Sequence, residues 1–566
     1  MILQNLLVQK VNSMDKSQIF DRNLLALSQR NAQLCAQLSR SETTCGRYKF
    51  LAARSGESIP ACLDDRGSAH PLHSIVSPCK EAERFASVMA NAGFLVFLGL
   101  GGGYYIEAAL KHNEVSFVLV VEYDCNGLAE LLCQNDYSGI FTDPRVCIIC
   151  DVSPSELEQC ILELYQPSLY GKISVVPLRS RIAFQPQVFT PAANAISQAI
   201  DRVSADYSVQ AHFGKRWLSN ILRNIEAAGN FQDIVLPVRR VAISAAGPSL
   251  SKHIPHLKEK RTDFFLIAVD TSLPCLLRAE IKPDAVISID CQHISYYHFM
   301  DTLPHDVFLF LDLASPPLLS LRAKRTQFFS GGHPLTRYIS GVYRPLAELD
   351  TSGGNVTYAA VSLAEHLGAR VIELYGADFS YPEGVSYAQG TYIYALFAKY
   401  QTRFSPLEAQ ASSFLFRTPL EKKSRGSSWY YETKALKFYR ERLEEKCQGM
   451  DAQVISYDTS GTPINISYHN NNKRQDLRFF SSGKPAMSAT AFLHHYQSQL
   501  LALPSASNNT AQYRASLNNE QYAVFTTLLP TAASLKMDDP QAPFQELFAK
   551  TKLHCLNEIE ALLDRA

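Results

Sequence analysis

The run Thr351-Ser-Gly-Gly-Asn-Val-Thr-Tyr, continuing to Gly376-Ala-Asp-Phe379, constrains this chain more than any other stretch. Gly353 and Gly354 precede a pattern that predicts a helix from about Val356 to His366. Gly368 marks its end, and Val371 to Tyr375 form an apolar run of strand length. A glycine-opened helix start presents backbone N–H groups where the macrodipole favours an anion, and Ser352 and Thr357 can add hydroxyl donors. Gly376-Ala-Asp378 falls where the strand stops, the edge at which open α/β sheets bind ligands.

The same alternation runs along much of the chain. From Gly93 it reads strand (Phe94 to Leu98), glycine turn (Gly99-Leu-Gly-Gly-Gly103), helix (Tyr105 to His112) and strand (Phe117 to Glu122). A second series begins at Val238, with strands near Arg240 to Ser244, Phe264 to Val269, Ala285 to Ile289, Val307 to Leu311, Val371 to Tyr375 and Ala452 to Ser456. Alternating strands and helices predict mostly parallel, doubly wound sheets. The expected fold class is therefore α/β, with two Rossmann-like doubly wound domains in series and a helical C-terminal domain. The boundaries expected are 1–235, 236–465 and 466–566, with Tyr468-His-Asn-Asn-Asn-Lys-Arg474 as linker.

Composition narrows the partners. Lysine plus arginine equals aspartate plus glutamate at 54 each, so the charge balance gives no support for nucleic-acid or membrane-surface binding. The longest apolar runs are too short to span a bilayer. Thirteen cysteines lie scattered without a paired framework, and the N-terminus lacks signal-peptide order, so a reduced, cytoplasmic protein is expected. Cys147-Ile-Ile-Cys150 sits inside a strand-like run without a second pair at zinc spacing and reads as core packing.

Two glycine loops carry candidate sites. Gly99-x-Gly-x-Gly103 with Glu122 beyond it has the layout of a nucleoside-binding turn, but Tyr104 stands where the dinucleotide fingerprint wants its third glycine. The turn reads either as a nucleotide site or as tight helix–strand packing. Ala246-Gly-Pro-Ser-Leu250 follows a strand and opens a helix, which makes Gly247, Pro248 and Ser249 a phosphate cradle or a capped turn with Pro248 at the first helical position. Asp270 and Asp290 end neighbouring strands and are expected on one carboxyl edge with Gly247, Gly353 and Asp378.

Gly247-Pro-Ser-Leu250, Thr351-Ser-Gly353, Gly376-x-Asp378-Phe379 and Ser386-Tyr-Ala388 together resemble the motif series of bacterial sialyltransferases that use CMP-activated nonulosonic acids. They resemble still more the flagellin glycosyltransferases called motility accessory factors. Asn23-Leu-Leu-Ala-Leu-Ser-x-Arg30, Leu72-His-Ser74 with Glu81-Ala82, and the triple-glycine turn extend that similarity over most of residues 20 to 460. The central domain is also similar to the archaeal hydroxymethylpterin diphosphokinase.

The resemblance implies a sialyltransferase-like central domain that transfers a pseudaminic, legionaminic or sialic type sugar, with inversion, from its CMP ester to Ser/Thr of flagellin. It implies no tightly bound cofactor and leaves Mg²⁺ open. Gly247, Pro248, Ser249, Asp270 and Asp290 would serve the nucleotide, and Thr351, Ser352 and Gly353 the sugar carboxylate or donor phosphate. Tyr381 and Tyr387 would stabilise the departing phosphate, unless they are ordinary loop packing, with Asp378 beside them. Asp270 and Ala246 stand where the sialyltransferases have asparagines, and Ser427 where they have a catalytic histidine. Asp378, Glu383, Glu432, Asp290 and His293 are the alternative proton acceptors. Two other functions fit the same residues. One is an ATP/Mg²⁺ diphosphokinase with Asp270, Asp290 and Asp378 as metal ligands; the other is a non-catalytic flagellin-binding chaperone.

Overall fold

The computed structural model describes residues 16–64, 66–89, 92–230, 238–300, 303–457, 459–466, 483–506 and 510–565. The expected linker at Tyr468 to Arg474 lies outside them. Two compact units form, one of Met1–Gly214, Leu503–Tyr522 and Leu529–Lys552, the other of Lys215–Ala502, Ala523–Leu528 and Leu553–Ala566. The helices after residue 488, expected as one domain, thus contribute to both units.

In the first unit, strands β1 (Tyr48–Ala52), β2 (Ser58–Leu63) and β3 (Ala69–Pro71) form an antiparallel sheet. Strands β4 (Phe94–Leu98), β5 (Phe117–Glu122), β6 (Val146–Cys150) and β7 (Ile173–Pro177) form an all-parallel sheet in the order β6-β5-β4-β7. Every residue of β4 and β5 is buried, as expected for parallel strands covered on both faces.

The second unit is built on eight parallel strands: β8 (Arg240–Ser244), β9 (Phe265–Val269), β10 (Ala285–Ser288), β11 (Phe308–Asp312), β12 (Arg325–Ser330), β13 (Ala347–Glu348), β14 (Val371–Tyr375) and β18 (Gln453–Ser456). Their order is β13-β12-β11-β10-β9-β8-β14-β18. The chain therefore walks outward from β8 to β13, then returns to the other side of β8 through β14. That reversal between β8 and β14 is the topological switch point, where a crevice opens at the carboxyl ends of the strands. A small antiparallel sheet of β15 (Tyr381–Pro382), β16 (Glu421–Arg425) and β17 (Ser428–Glu432) is inserted between β14 and β18.

The helix Val356–His366 has the predicted bounds and packs across β8, β9 and β10. Its inner face is small, with Ala359, Ala360 and Ala364 fully buried against Val241, Ile243, Ile267 and Ile287. Small residues let the backbone approach the sheet, while Leu363 and the branched strand residues supply the burial, each worth about 1.5–3 kcal/mol. Among the described residues no helix is long and apolar enough to cross a membrane.

Candidate active site

Asp378 and Ser249 join the two sides of the switch point. The Ser249 amide donates to Asp378 Oδ2 at 2.8 Å, and the Gly247 amide donates to the Gly376 carbonyl at 2.8 Å. A Cβ on Gly247 would lie 2.3 Å from Asp378 Oδ2 and 2.5 Å from the Gly376 oxygen, so only glycine admits this approach. At Gly247, Pro248 and Ser249, where the sequence left a phosphate cradle and a capped turn open, the Gly247 and Ser249 amides are engaged within the chain. A carboxylate of the chain itself takes the helix start, where the macrodipole favours it. Asp378 is buried with its carboxyl raised by that burial, and it positions the crevice wall.

Asp270 and Asp290 do meet on the carboxyl edge. Asp270 is fully buried and accepts from the Thr271 amide at 2.6 Å, the Thr271 hydroxyl at 3.0 Å and the Ser288 hydroxyl at 2.6 Å. Asp290 accepts from the Gln292 amide at 2.8 Å; burial raises its carboxyl, and the neighbouring Asp270 charge raises it further. Burial raises the phenols of Tyr381, Tyr387 and Tyr392, the Asp270 charge raises those of Tyr387 and Tyr392 further, and Arg417 opposes the rise at all three. The loop carrying Tyr387 is fixed by the Ala388 amide, which donates to the Ala246 carbonyl at 2.9 Å. Arg417 was not foreseen, because it sits in a polar stretch after the helix Leu407–Leu415 with no motif around it.

The proposed proton acceptors separate clearly. His293 is exposed on the short helix His293–Phe299, whereas His298 of the same turn is buried, its ring 4.5 Å from that of Tyr392. Glu383 is exposed and Glu432 is buried in an ion pair with Lys423 at 2.5 Å. Ser427 lies exposed in the turn between β16 and β17.

The Thr351 to Asn355 loop, expected from its sequence to receive an anion, precedes the helix Val356–His366. Asn355 caps the helix by accepting from the Tyr358 amide at 3.0 Å, and the other first-turn amides have no intrahelical partners, as at any helix start. Ser352 and Gly354 are exposed. Gly353 is packed on the Tyr358 ring, whose hydroxyl donates to Asp350 at 2.6 Å. Arg442 reaches to 3.5 Å from Ser352 Oγ and brings a cation that sequence reasoning missed, because it comes from a helix about 90 residues away.

Two further contributors were not legible in the sequence. Asp312, the last residue of β11, is buried, and burial pushes its carboxyl up to about 6 although it accepts from the Ala314 amide at 2.7 Å. A Cβ on Gly331 would lie 2.1 Å from Asp312 Oδ2 and 3.1 Å from Thr351 Oγ1, so Asp312 and Thr351 meet at Gly331. Asn220 and Asn224, one turn apart on the helix Pro186–Asn230, clamp the loops beyond β10 and β11. Asn220 donates to the carbonyls of Cys291 (3.1 Å) and Ala314 (2.8 Å), and Asn224 to those of Leu313 (2.9 Å) and Ser315 (2.8 Å).

In the first unit the glycine turn is filled by the protein. Glu122 accepts from the amides of Leu100 (2.8 Å) and Tyr123 (3.1 Å) and pairs with Arg181 at 3.2 Å, so it does not face a ribose. The Gly102 amide donates to His73 Nε2 at 2.8 Å, and the Tyr137 hydroxyl donates to the Gly101 carbonyl at 2.7 Å. Burial pushes the His73 imidazole down to about 4, which keeps it a neutral acceptor. Of the two readings of this turn, tight packing is the one that its hydrogen bonds satisfy. Cys147 and Cys150 of the CxxC do not pair; Cys150 instead lies 3.2 Å from Cys125, and with Asp151 these form the one group of three metal-capable side chains among the described residues. Asp270, Asp290 and Asp378 do not form such a group.

Residues 215–384 match the family described as 6-hydroxymethylpterin diphosphokinase MptE-like. An uncharacterized protein of Treponema pallidum (strain Nichols) is 34% identical over 166 residues, which is 29% of this chain and 79% of that protein. The chain belongs to one family with it. A second uncharacterized treponemal protein is 34% identical over 156 residues, of which the chain spans about half the length, 55%. The structure of a MAf glycosyltransferase from Magnetospirillum magneticum AMB-1 superposes with a TM-score of 0.59 over 97% of this chain and 95% of that one, at 13% identity. This is a Maf glycosyltransferase-like fold. The MptE-like region lies within the second unit and carries the switch point, Asp270, Asp290, Asp312 and the Thr351 to Asn355 loop.

Proposed function

We propose that the chain is a cytoplasmic glycosyltransferase that moves a nonulosonic acid, of pseudaminic, legionaminic or sialic type, from its CMP ester to Ser/Thr hydroxyls of flagellin. The observation that carries this reading is the loop at Ser352 to Asn355, with Arg442 beside it, on the same carboxyl edge as two tyrosines under Arg417. Such a donor set answers the main demand of the reaction, which is to stabilise phosphate charge as the anomeric bond breaks. The whole-chain likeness to a MAf glycosyltransferase supports it at the level of fold.

In this reading the loop and Arg442 hold the donor's phosphate or carboxylate, and Tyr381 and Tyr387 donate to the leaving oxygen. Asp290 takes the acceptor hydroxyl's proton, for which a carboxyl raised by burial and by Asp270 is better suited than an ordinary one. The test is incubation of purified chain, flagellin and CMP-activated sugar, read by intact mass of flagellin. A mass increase that requires the CMP sugar supports the reading, and unchanged mass with bound donor favours the chaperone.

The MptE-like match favours a second reading, an ATP-dependent diphosphokinase. Its predicted metal ligands do not converge, since Asp270 is engaged by Thr271 and Ser288, and Asp378 by Ser249. Thermal stabilisation by ATP with Mg²⁺ but not by any cytidine nucleotide would select it.

A further inference from the structure

We propose that Cys125, Cys150 and Asp151 form a binding site for a thiophilic divalent ion, Zn²⁺ above all, at the carboxyl edge of the first unit's parallel sheet. The two sulfurs are 3.2 Å apart, and with one Asp151 oxygen all three ligand atoms lie within 4.8 Å of one another. Tetrahedral Zn²⁺ with bonds of about 2.3 Å to sulfur and about 2.0–2.2 Å to oxygen places its ligand atoms roughly 3.5–3.8 Å apart. Small side-chain movements bring the three atoms to that spacing.

The backbone brings them together for a definite reason. Cys150 ends β6 and Asp151 follows it, while Cys125 opens the helix Cys125–Gln134 just beyond the neighbouring strand β5. Asp151 is held by accepting from the Asp124 amide at 2.6 Å and the Cys125 amide at 3.0 Å, and a carboxylate so engaged retains lone pairs for a metal. Both cysteines are buried whereas Asp151 is exposed, which gives an ion a route in and leaves a fourth position for water.

A second observation points to a ligand here. The Tyr123 hydroxyl is buried without a hydrogen-bond partner, within electrostatic reach of both Asp151 and Cys150. An orphaned buried hydroxyl is costly, and a metal-bound water is the kind of partner it lacks. Two sulfurs exclude Mg²⁺, a hard ion that takes oxygen ligands, and select Zn²⁺ or another thiophilic ion. Binding exchanges protons for metal: two thiols and one M²⁺ give the dithiolate complex and two H⁺.

The test uses the full chain, prepared without a metal-binding tag, reduced, stripped with a chelator and titrated with Zn²⁺ against a colorimetric competitor. The expected result is one Zn²⁺ per chain, a rise in Tm, proton release and no response to Mg²⁺. Cys125→Ser and Cys150→Ser lose binding, Asp151→Asn weakens it with both thiols intact, and Cys147→Ser binds as the parent does. Circular dichroism of each variant in chelator shows that it is folded. Sub-stoichiometric binding by the parent chain overturns the proposal, as does equal loss in Cys147→Ser or a Cys125–Cys150 disulfide in anaerobically purified protein. None of these readouts depends on transferase activity.

Discussion

Glu122 and Arg181 form an ion pair at 3.2 Å in which each side chain is 1% exposed. The acidic residue that ends the second strand of a Rossmann-like unit usually serves a ribose, and here it serves an arginine of the helix Arg179–Phe184, which follows β7. Arg181 also donates to the Tyr123 carbonyl at 2.8 Å and to Gln185.

Breaking this pair should be expensive. Arg181→Met leaves a buried carboxylate without its counter-charge, a change worth about 3–5 kcal/mol. Chemical denaturation should show that loss, while calorimetric titration of the folded variant gives an unchanged CMP affinity.

Gly353→Ala should weaken donor binding through sterics alone. The added Cβ would sit 2.1 Å from the Tyr358 ring, which cannot swing freely while its hydroxyl donates to Asp350. Overpacking of this kind costs about 1–3 kcal/mol, and the displaced loop should bind CMP more weakly by titration calorimetry.

Asp312 should give the stability curve a descending step. Its carboxyl ionises in the folded chain only near pH 6, above the unfolded value near 3.8. Between those values the folded state holds the extra proton, so stability falls as pH rises from about 4 through about 6 and then levels, by on the order of 2–3 kcal/mol. Asp312→Asn should remove that component, seen as a smaller difference between denaturation midpoints at pH 5 and pH 7.

Tyr387→Phe should lower kcat by about 100-fold with little change in KM, as expected for a donor that acts on charge developing in the transition state. Tyr381→Phe should do the same if both hydroxyls act on the departing phosphate. An effect confined to KM would assign them to ground-state binding.

The elements that could be read from the chain are those in which local pattern and final environment agree. The helix Val356–His366 and the strands β4, β5, β8 and β14 carry their own period and their own glycine stops. Asp270 and Asp290 were placed correctly on one edge because strand ends in a parallel sheet converge. What the sequence left open was the occupancy of the glycine turns. Spacing shows that an amide is presented, but not whether Asp378, Glu122 or His73 will take it from 20 to 130 residues away. Arg417, Arg442, Asp312 and His298 were missed for the same reason: each acquires its neighbours only through tertiary packing.

Asn224→Ala should loosen the carboxyl edge without emptying the core. Two buried carbonyls, of Leu313 and Ser315, would lose their donor at about 1–3 kcal/mol. Hydrogen exchange should quicken in residues 313–316 before it does in β11 itself.

Asn220 and Asn224 grip only carbonyl oxygens, and every residue type offers one. The loops beyond β10 and β11 can therefore exchange their side chains during evolution and stay in place, since the anchorage ignores what they carry. Two amides on one helix turn make this edge a fixed frame with replaceable chemistry, which is one physical route by which phosphoryl-transfer and glycosyl-transfer sites could share a single domain.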